Sequence, residues 1–178
     1  MPIELIVASD SHGRSDLLTK LEQAYPKADA YIHCGDLEDN AGAFPRWIFV
    51  RGNNDWMADS QEMPDSRILS IGRHRFLMLH SDICSYMGRE RQLAQMAHRN
   101  DCDVVLFGHT HRSDIETVDS ILEINPGSLW YPRDTNPPSY ARIVIDDDGT
   151  IHPQIIFKPE WPFSSARPKS TKKKNWFR

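Results

Sequence analysis

No run of about 18 apolar residues occurs in this 178-residue chain, which excludes a membrane-spanning helix of ordinary length. Met1-Pro2-Ile3-Glu4 places no basic segment ahead of an apolar one, so no secretory signal is expected. Cysteine is scarce: Cys34, Cys84 and Cys102 are odd in number and far apart. Such a set argues against a disulfide framework and for reduced thiols in a cytoplasmic protein. Internal repeats and low-complexity tracts are absent before Lys158. The length suits one domain with a sizeable core, burying roughly 70% of its unfolded surface.

Net positive charge is also missing from most of the chain. Residues 158–178 carry seven Lys/Arg and one Glu, about +6, so the overall −4 leaves roughly −10 on residues 1–157. An acidic body fits cation loading and argues against a broad nucleic-acid-binding face. Residues 1–157 therefore read as the domain, and 158–178 as a basic, Pro/Ser/Lys-rich tail of low intrinsic order. Trp161, Phe163, Trp176 and Phe177 could dock that tail on the body or on a neighbouring copy. The tail is the one segment suited to nucleic acid, but a solvated or oligomer-packing role is expected.

Apolar runs of strand length occupy Ile3–Ser9, Ala30–Cys34 and Trp47–Val50, with Leu17, Leu18 and Leu21 at helical spacing between the first two and Ser15 placed as an N-cap. That order predicts a parallel sheet with crossovers. Arg67–Ile71 and Arg75–His80 flank Gly72-Arg73-His74 and read as a hairpin. Gly88–Arg99 is periodic enough for a helix, and Asp103–Phe107 is a buried strand. Asp114–Val118, Ile121–Asn125, Tyr140–Asp146 and Thr150–Phe157 look antiparallel. Two face-to-face sheets with helices outside account for this pattern.

Metal-ligand side chains follow five of these strands, each just past a turn: Asp10-Ser-His12, Gly35-Asp36, Gly52-Asn53-Asn54-Asp55, His80, and Gly108-His109-Thr110-His111. Seven such residues at strand ends are expected to converge on one sheet edge. Two Asp, one Asn and four His with no Cys suit a pair of divalent ions held by mixed oxygen and nitrogen ligands. Asp10 and His12, two apart in extended backbone, would lie on one side and touch one ion. Two cations about 3.5–4 Å apart repel and need a shared anion, and Asp36 is the candidate bridge.

This motif set resembles the calcineurin-like metallophosphoesterase superfamily. Asn125-Pro126-Gly127-Ser128 and Asn136-Pro137-Pro138-Ser139-Tyr140 narrow the resemblance, over residues 3–157, to its small bacterial and archaeal phosphodiesterases. The resemblance implies an α/β fold, a four-layer αββα sandwich of two mixed sheets with a dinuclear site at its rim. It implies that Asp10, His12 and His111 hold one ion, and Asn53, His80 and His109 the other, with Asp36 between. It further implies two divalent ions, with Mn²⁺, Fe, Zn²⁺ or Ni²⁺ as candidates, and a bridging hydroxide that attacks a phosphodiester. The alternatives are phosphomonoesters, dinucleotide polyphosphates, or a non-catalytic scaffold like a retromer subunit.

Two positions depart from the family pattern. Many larger members carry a His after the metal-binding Asn, whereas this chain has Asn54, whose amide can donate a hydrogen bond but cannot act as a general acid. His80 precedes Ser81-Asp82 where relatives commonly show Gly-His. Asn54, Asp55 and Arg112 are the candidates for catalytic contact with substrate. Arg51 and Arg133 are further candidate phosphate clamps, and Trp56 and Tyr86 candidate pocket walls. His33 reads as core or support, and His74, His98 and His152 as surface. The expected partners are a small phosphoester and further copies of this chain, a homo-oligomer, with no membrane.

Overall fold

The computed structural model describes residues 1–56 and 62–163. Five strands form one sheet: β1 (Ile3–Ala8), β2 (Ala30–His33), β3 (Trp47–Phe49), β9 (Ser139–Ile145) and β10 (Ile151–Phe157), in the order β10-β9-β1-β2-β3. The other sheet holds β4 (Ser66–Ile71), β5 (His74–Leu79), β6 (Val104–Phe107), β7 (Ser113–Val118) and β8 (Ile121–Pro126), in the order β4-β5-β6-β8-β7. Both sheets are mixed: β1, β2 and β3 run parallel, as do β5, β6 and β8, while the remaining pairs are antiparallel.

Strict side-chain alternation explains the layers. Leu5 and Val7 of β1 enter the core between the sheets, where they meet Phe76 and Met78 of β5 and Val104 and Leu106 of β6. Ile6 and Ala8 point the other way, onto α1 (Asp16–Ala24), whose Leu17, Leu18 and Leu21 are buried against them. Leu77, Leu79, Val105 and Phe107 likewise face α2 (Arg89–Arg99), with its Leu93, Ala94 and Ala97. A strand covered on both faces reads as an unbroken apolar run, which is why β1 and β6 are so conspicuous. Each such side chain contributes about 1.5–3 kcal/mol of burial. The result is the expected αββα sandwich, with one helix on each outer face.

Two details differ from the sequence reading. Ser15 stands at the N-cap of α1, but its hydroxyl donates to Asp39 at 2.6 Å rather than to the helix. β8, expected to be antiparallel throughout, pairs in parallel with β6, because β8 and β9 separate into different sheets. Residues 158–163 pack on the body, one of the two dockings the tail's aromatic residues suggested: Trp161 is buried against Tyr140 and donates its indole N–H to Ile156 O at 3.1 Å. The later lysines, Trp176 and Phe177 lie outside the described residues.

Candidate metal centre

The carboxyl ends of β1, β2, β3, β5 and β6 share one rim, where loops that follow parallel strands gather side chains. The rim is common to both sheets, not one edge of a single sheet, since β1–β3 belong to one and β5 and β6 to the other. Backbone hydrogen bonds stitch its loops together: Asp10 N–H to Gly35 O, His12 N–H to Asp36 O, and Gly108 N–H to His80 O.

Asp10 and His12 are not in extended backbone as expected. Their φ values are +52° and +45°, and Asp36 (+56°), His109 (+72°) and His111 (+56°) share the left-handed region. Each such residue costs free energy that the surrounding structure must offset, and such strain clusters at functional sites. These kinks, not strand alternation, aim the side chains inward. Two glycines let the loops close. A Cβ on Gly52 would lie 2.2 Å from Asp36 Oδ1, and one on Gly108 would lie 2.0 Å from Ser9 Oγ.

The first cluster joins Asp10, His12, Asp36 and His111, one ligand atom from each lying within 4.8 Å of the others. Asp10 is fully buried. Its Oδ2 accepts the Ser9 hydroxyl at 2.6 Å and the His109 N–H at 3.1 Å, while Oδ1 has no hydrogen-bond partner. That orphan oxygen sits 3.2 Å from His111 Nε2. His111 Nδ1 must carry its ring's proton, because it faces the Tyr131 carbonyl at 2.5 Å, and His12 Nδ1 likewise faces the Glu38 carboxylate. In the neutral form of both rings the Nε2 atoms carry lone pairs, and these face each other at 3.0 Å. Two lone pairs in contact beside an unpaired carboxylate oxygen describe a cation's place, so the residues present fit a divalent ion.

The second cluster forms around Asn53 Oδ1, which lies 3.1 Å from His80 Nε2 and 2.9 Å from His109 Nδ1. His80 donates its Nδ1–H to Cys34 O at 2.8 Å, which turns Nε2 inward. Asp36 Oδ2 lies between the clusters, 3.4 Å from His80 Nε2 and 3.9 Å from His12 Nε2. The seven residues thus gather at one rim, with Asp36 between the two clusters.

The electrostatics follow the same division. Burial works to raise the Asp10 pKa, but His111, His80 and the Ser9 hydroxyl outweigh it and hold it below the usual range. Asp36 is lowered too: burial opposes, while His80 and the Asn54 donors prevail. Burial would lower His80, yet the Asp36 and Asp10 carboxylates push it up to about 9. A metal entering here must displace that proton. His33 is fully buried, which lowers it to about 4, and its neutral ring contacts Ser11 Oγ at 2.9 Å; it supports the loop after β1.

Asn54 donates its side-chain amide to Asp36 Oδ2 at 2.7 Å and its backbone N–H to Oδ1 at 2.9 Å. Asp55 accepts the N–H groups of Asp36, Glu38 and Gly52, each at 2.8 Å, so both its oxygens hold loops in place. Arg112 lines a cleft of about 600 Å³ beside His109, together with Tyr86 and Arg133. Arg51 and Trp56 line another of about 630 Å³ beside Asn53, but Arg51 is already paired with Asp65 at 2.5 Å. His74, expected at the surface, is half-buried between Asp103 and the Gly149 carbonyl, where it ties the β4–β5 hairpin to the β9–β10 turn.

Several groups escaped the sequence reading. Glu38, Ser9 and Ser128, whose hydroxyl donates to Asp10 O at 2.7 Å, carry no periodic signal. The carbonyls of Cys34 and Tyr131 leave no trace in side-chain identity at all. Arg89 was passed over because its helix position looks like any polar one.

Residues 3–148 match the family described as calcineurin-like phosphoesterase superfamily domain, and the chain belongs to it. It is accordingly a phosphoesterase-type hydrolase of the metal-dependent kind. It is 31% identical over 149 residues to the probable metallophosphoesterase YsnB of Bacillus subtilis, covering 82% of this chain and 86% of that one. It is 28% identical to phosphodiesterase MJ0936 of Methanocaldococcus jannaschii, with 79% and 98% covered. Among solved structures, a predicted phosphoesterase from Streptococcus pneumoniae superposes with a TM-score of 0.75 at 26% identity, over 88% of this chain and 98% of that one. Vps29 from Entamoeba histolytica, complexed with zinc, shares the fold at a TM-score of 0.67 and 21% identity, over 86% and 98%.

Proposed function

We propose that the chain hydrolyses phosphodiesters, using two divalent ions held at the rim by the seven residues Asp10, His12, Asp36, Asn53, His80, His109 and His111. The observation that carries this reading is the buried, unpartnered Asp10 Oδ1 beside two facing imidazole Nε2 atoms. When bound, such ions supply a hydroxide nucleophile at neutral pH, by lowering a water pKa from about 15.7 to about 7, and neutralise charge building on the phosphoryl oxygens. Mn²⁺ is the ion we expect to support activity.

The chain's own residues orient and position. Asn54 holds Asp36 by two hydrogen bonds and so fixes the carboxylate shared by both clusters. Asp55 fixes the backbone of the loops that carry Asp36 and Asn53. The amide at position 54 cannot protonate the leaving group, a step typically worth about 10²–10⁴-fold when a positioned acid supplies it. Esters with good leaving groups should therefore react best. The clefts of about 600 and 630 Å³ on either side of the Asn53–His109 contact leave room for two substituents on one phosphorus, which favours diesters over monoesters. The buried, free Cys34, Cys84 and Cys102 suit a reducing compartment, and we place the protein in the cytoplasm as a homo-oligomer.

Protein stripped with chelator and reloaded with Mn²⁺ should hydrolyse bis-p-nitrophenyl phosphate faster than p-nitrophenyl phosphate. Asp36→Asn should abolish both. Full activity in the chelated protein would defeat the proposal. Because the Vps29 neighbour was solved with zinc, metal binding by itself does not separate an enzyme from a scaffold. Turnover is the deciding readout.

A further inference from the structure

The cleft beside His109 holds three arginines, and one of them is in an unusual situation. Arg89, at the start of α2, is only 5% exposed, yet its guanidinium donates to neutral groups: the Ser81 carbonyl and, at 2.8 Å, the Ser81 hydroxyl. Buried guanidinium groups are rarely left without an anion, because an uncompensated charge is costly to bury. Among the described residues, arginine ion pairs are formed by Arg14, Arg46, Arg51 and Arg142, none of which lines this cleft. Arg89 lines the same cleft as His109.

Arg112 and Arg133 line the same cleft and are held close to the centre. Arg112 directly follows His111, and the Arg133 N–H donates to His111 O at 3.0 Å. Three acids share the walls. Asp134 is occupied by the backbone and side-chain N–H groups of Asn136, and Asp114 accepts the Ile115 N–H. Glu90, beside Arg89 in sequence, pairs with no arginine among the described residues. The guanidinium groups therefore remain available, and their planar forks suit phosphate oxygens.

We propose that Arg89, Arg112 and Arg133 form a subsite for a second phosphate, carried on one arm of the diester substrate and distinct from the scissile phosphorus. This rests on the phosphodiesterase reading and narrows it: the preferred substrates are diesters whose retained arm bears a further phosphate, as in a phosphorylated nucleoside. A cleft of about 600 Å³ accommodates a group of that size. In the reaction, water adds to phosphorus and the bond to the leaving oxygen breaks, while the second phosphate is untouched.

Two matched probes test this on the Mn²⁺-loaded protein: thymidine 5′-(p-nitrophenyl phosphate) and the same ester carrying a 3′-phosphate. Release of p-nitrophenolate should give a kcat/KM about tenfold higher for the phosphorylated ester, the gain expected from charge-assisted contacts. Arg112→Gln and Arg133→Gln, both at exposed positions, should each reduce that ratio several-fold without lowering the melting temperature. A ratio of one in the unaltered protein, or a ratio indifferent to both substitutions, overturns the subsite. Calorimetric binding of thymidine 5′-monophosphate against thymidine 3′,5′-bisphosphate makes the test independent of turnover. If neither ester is cleaved but the bisphosphate binds about tenfold tighter, the subsite stands and the phosphodiesterase reading falls. Equal affinities, with both esters cleaved, sink the subsite alone.

Discussion

Two carboxylates are equally hidden in this protein and live opposite lives. Asp10 is 0% exposed and Glu123, on β8, is 1% exposed; both carry oxygens without hydrogen-bond partners. Asp10 is surrounded by imidazoles and is held in its charged form. Glu123 faces α2 on the outer side of its sheet, where burial first, then Glu116, Glu90 and Asp114, push its pKa up to about 8. Burial alone therefore does not decide the charge of a hidden acid. Its neighbours do: one acid is held charged, the other protonated.

That contrast can be broken deliberately. The largest effect should come from Asp10→Asn, which keeps the shape and the Oδ1 position but removes the charge. Metal affinity measured by calorimetry should fall more than about 100-fold, beyond the loss typical of supporting residues. Next in size is the pH dependence of metal binding. Because the His80 proton, with its pKa near 9 in the metal-free protein, must leave, affinity should rise about tenfold per pH unit from pH 6 to 8. Titrations at three pH values, in buffers of differing ionisation enthalpy, would read both the slope and the proton release. A flat profile would mean that His80 is not displaced.

Glu123 offers the mirror experiment. Its folded pKa, about 8, exceeds the ordinary value of 4.5, so the folded state binds more protons than the unfolded chain between those values. Stability should be highest below pH 4.5 on this account and decline as pH rises to about 8, by up to a few kcal/mol. Glu123→Gln should flatten that decline, which urea denaturation at pH 5 and pH 8 would show. Equal slopes in the two proteins would contradict the protonated state. The smallest effect is expected at Ser15→Ala. This removes the hydrogen bond to Asp39, not a helix cap, and should cost about 1 kcal/mol in the same assay while leaving metal affinity unchanged.

The fold was legible where one face-independent signal dominated. β1, β5 and β6 are apolar on both sides because both faces are covered, and their runs stand out without any alignment. The antiparallel pairing of β7 with β8, expected from Asp114–Val118 and Ile121–Asn125, was equally plain. The partition of β8 and β9 between sheets was hidden, since both strands look alike locally and only long-range pairing separates them. In the site, ligand types were readable from side chains. Their supports were not: Glu38 and the carbonyls of Cys34 and Tyr131 act through positions that no local pattern marks.

The order of residues along the chain determined which groups can bind a cation and that each follows a strand, because ligand chemistry and hydrophobic periodicity are local properties. Only the folded arrangement decided how they face one another: left-handed turns aim them, two sheets share one rim, and carbonyls set which imidazole nitrogen is bare. It also decided that Asp10 stays charged while Glu123 keeps its proton, since charge at a buried site depends on neighbours brought from far along the chain.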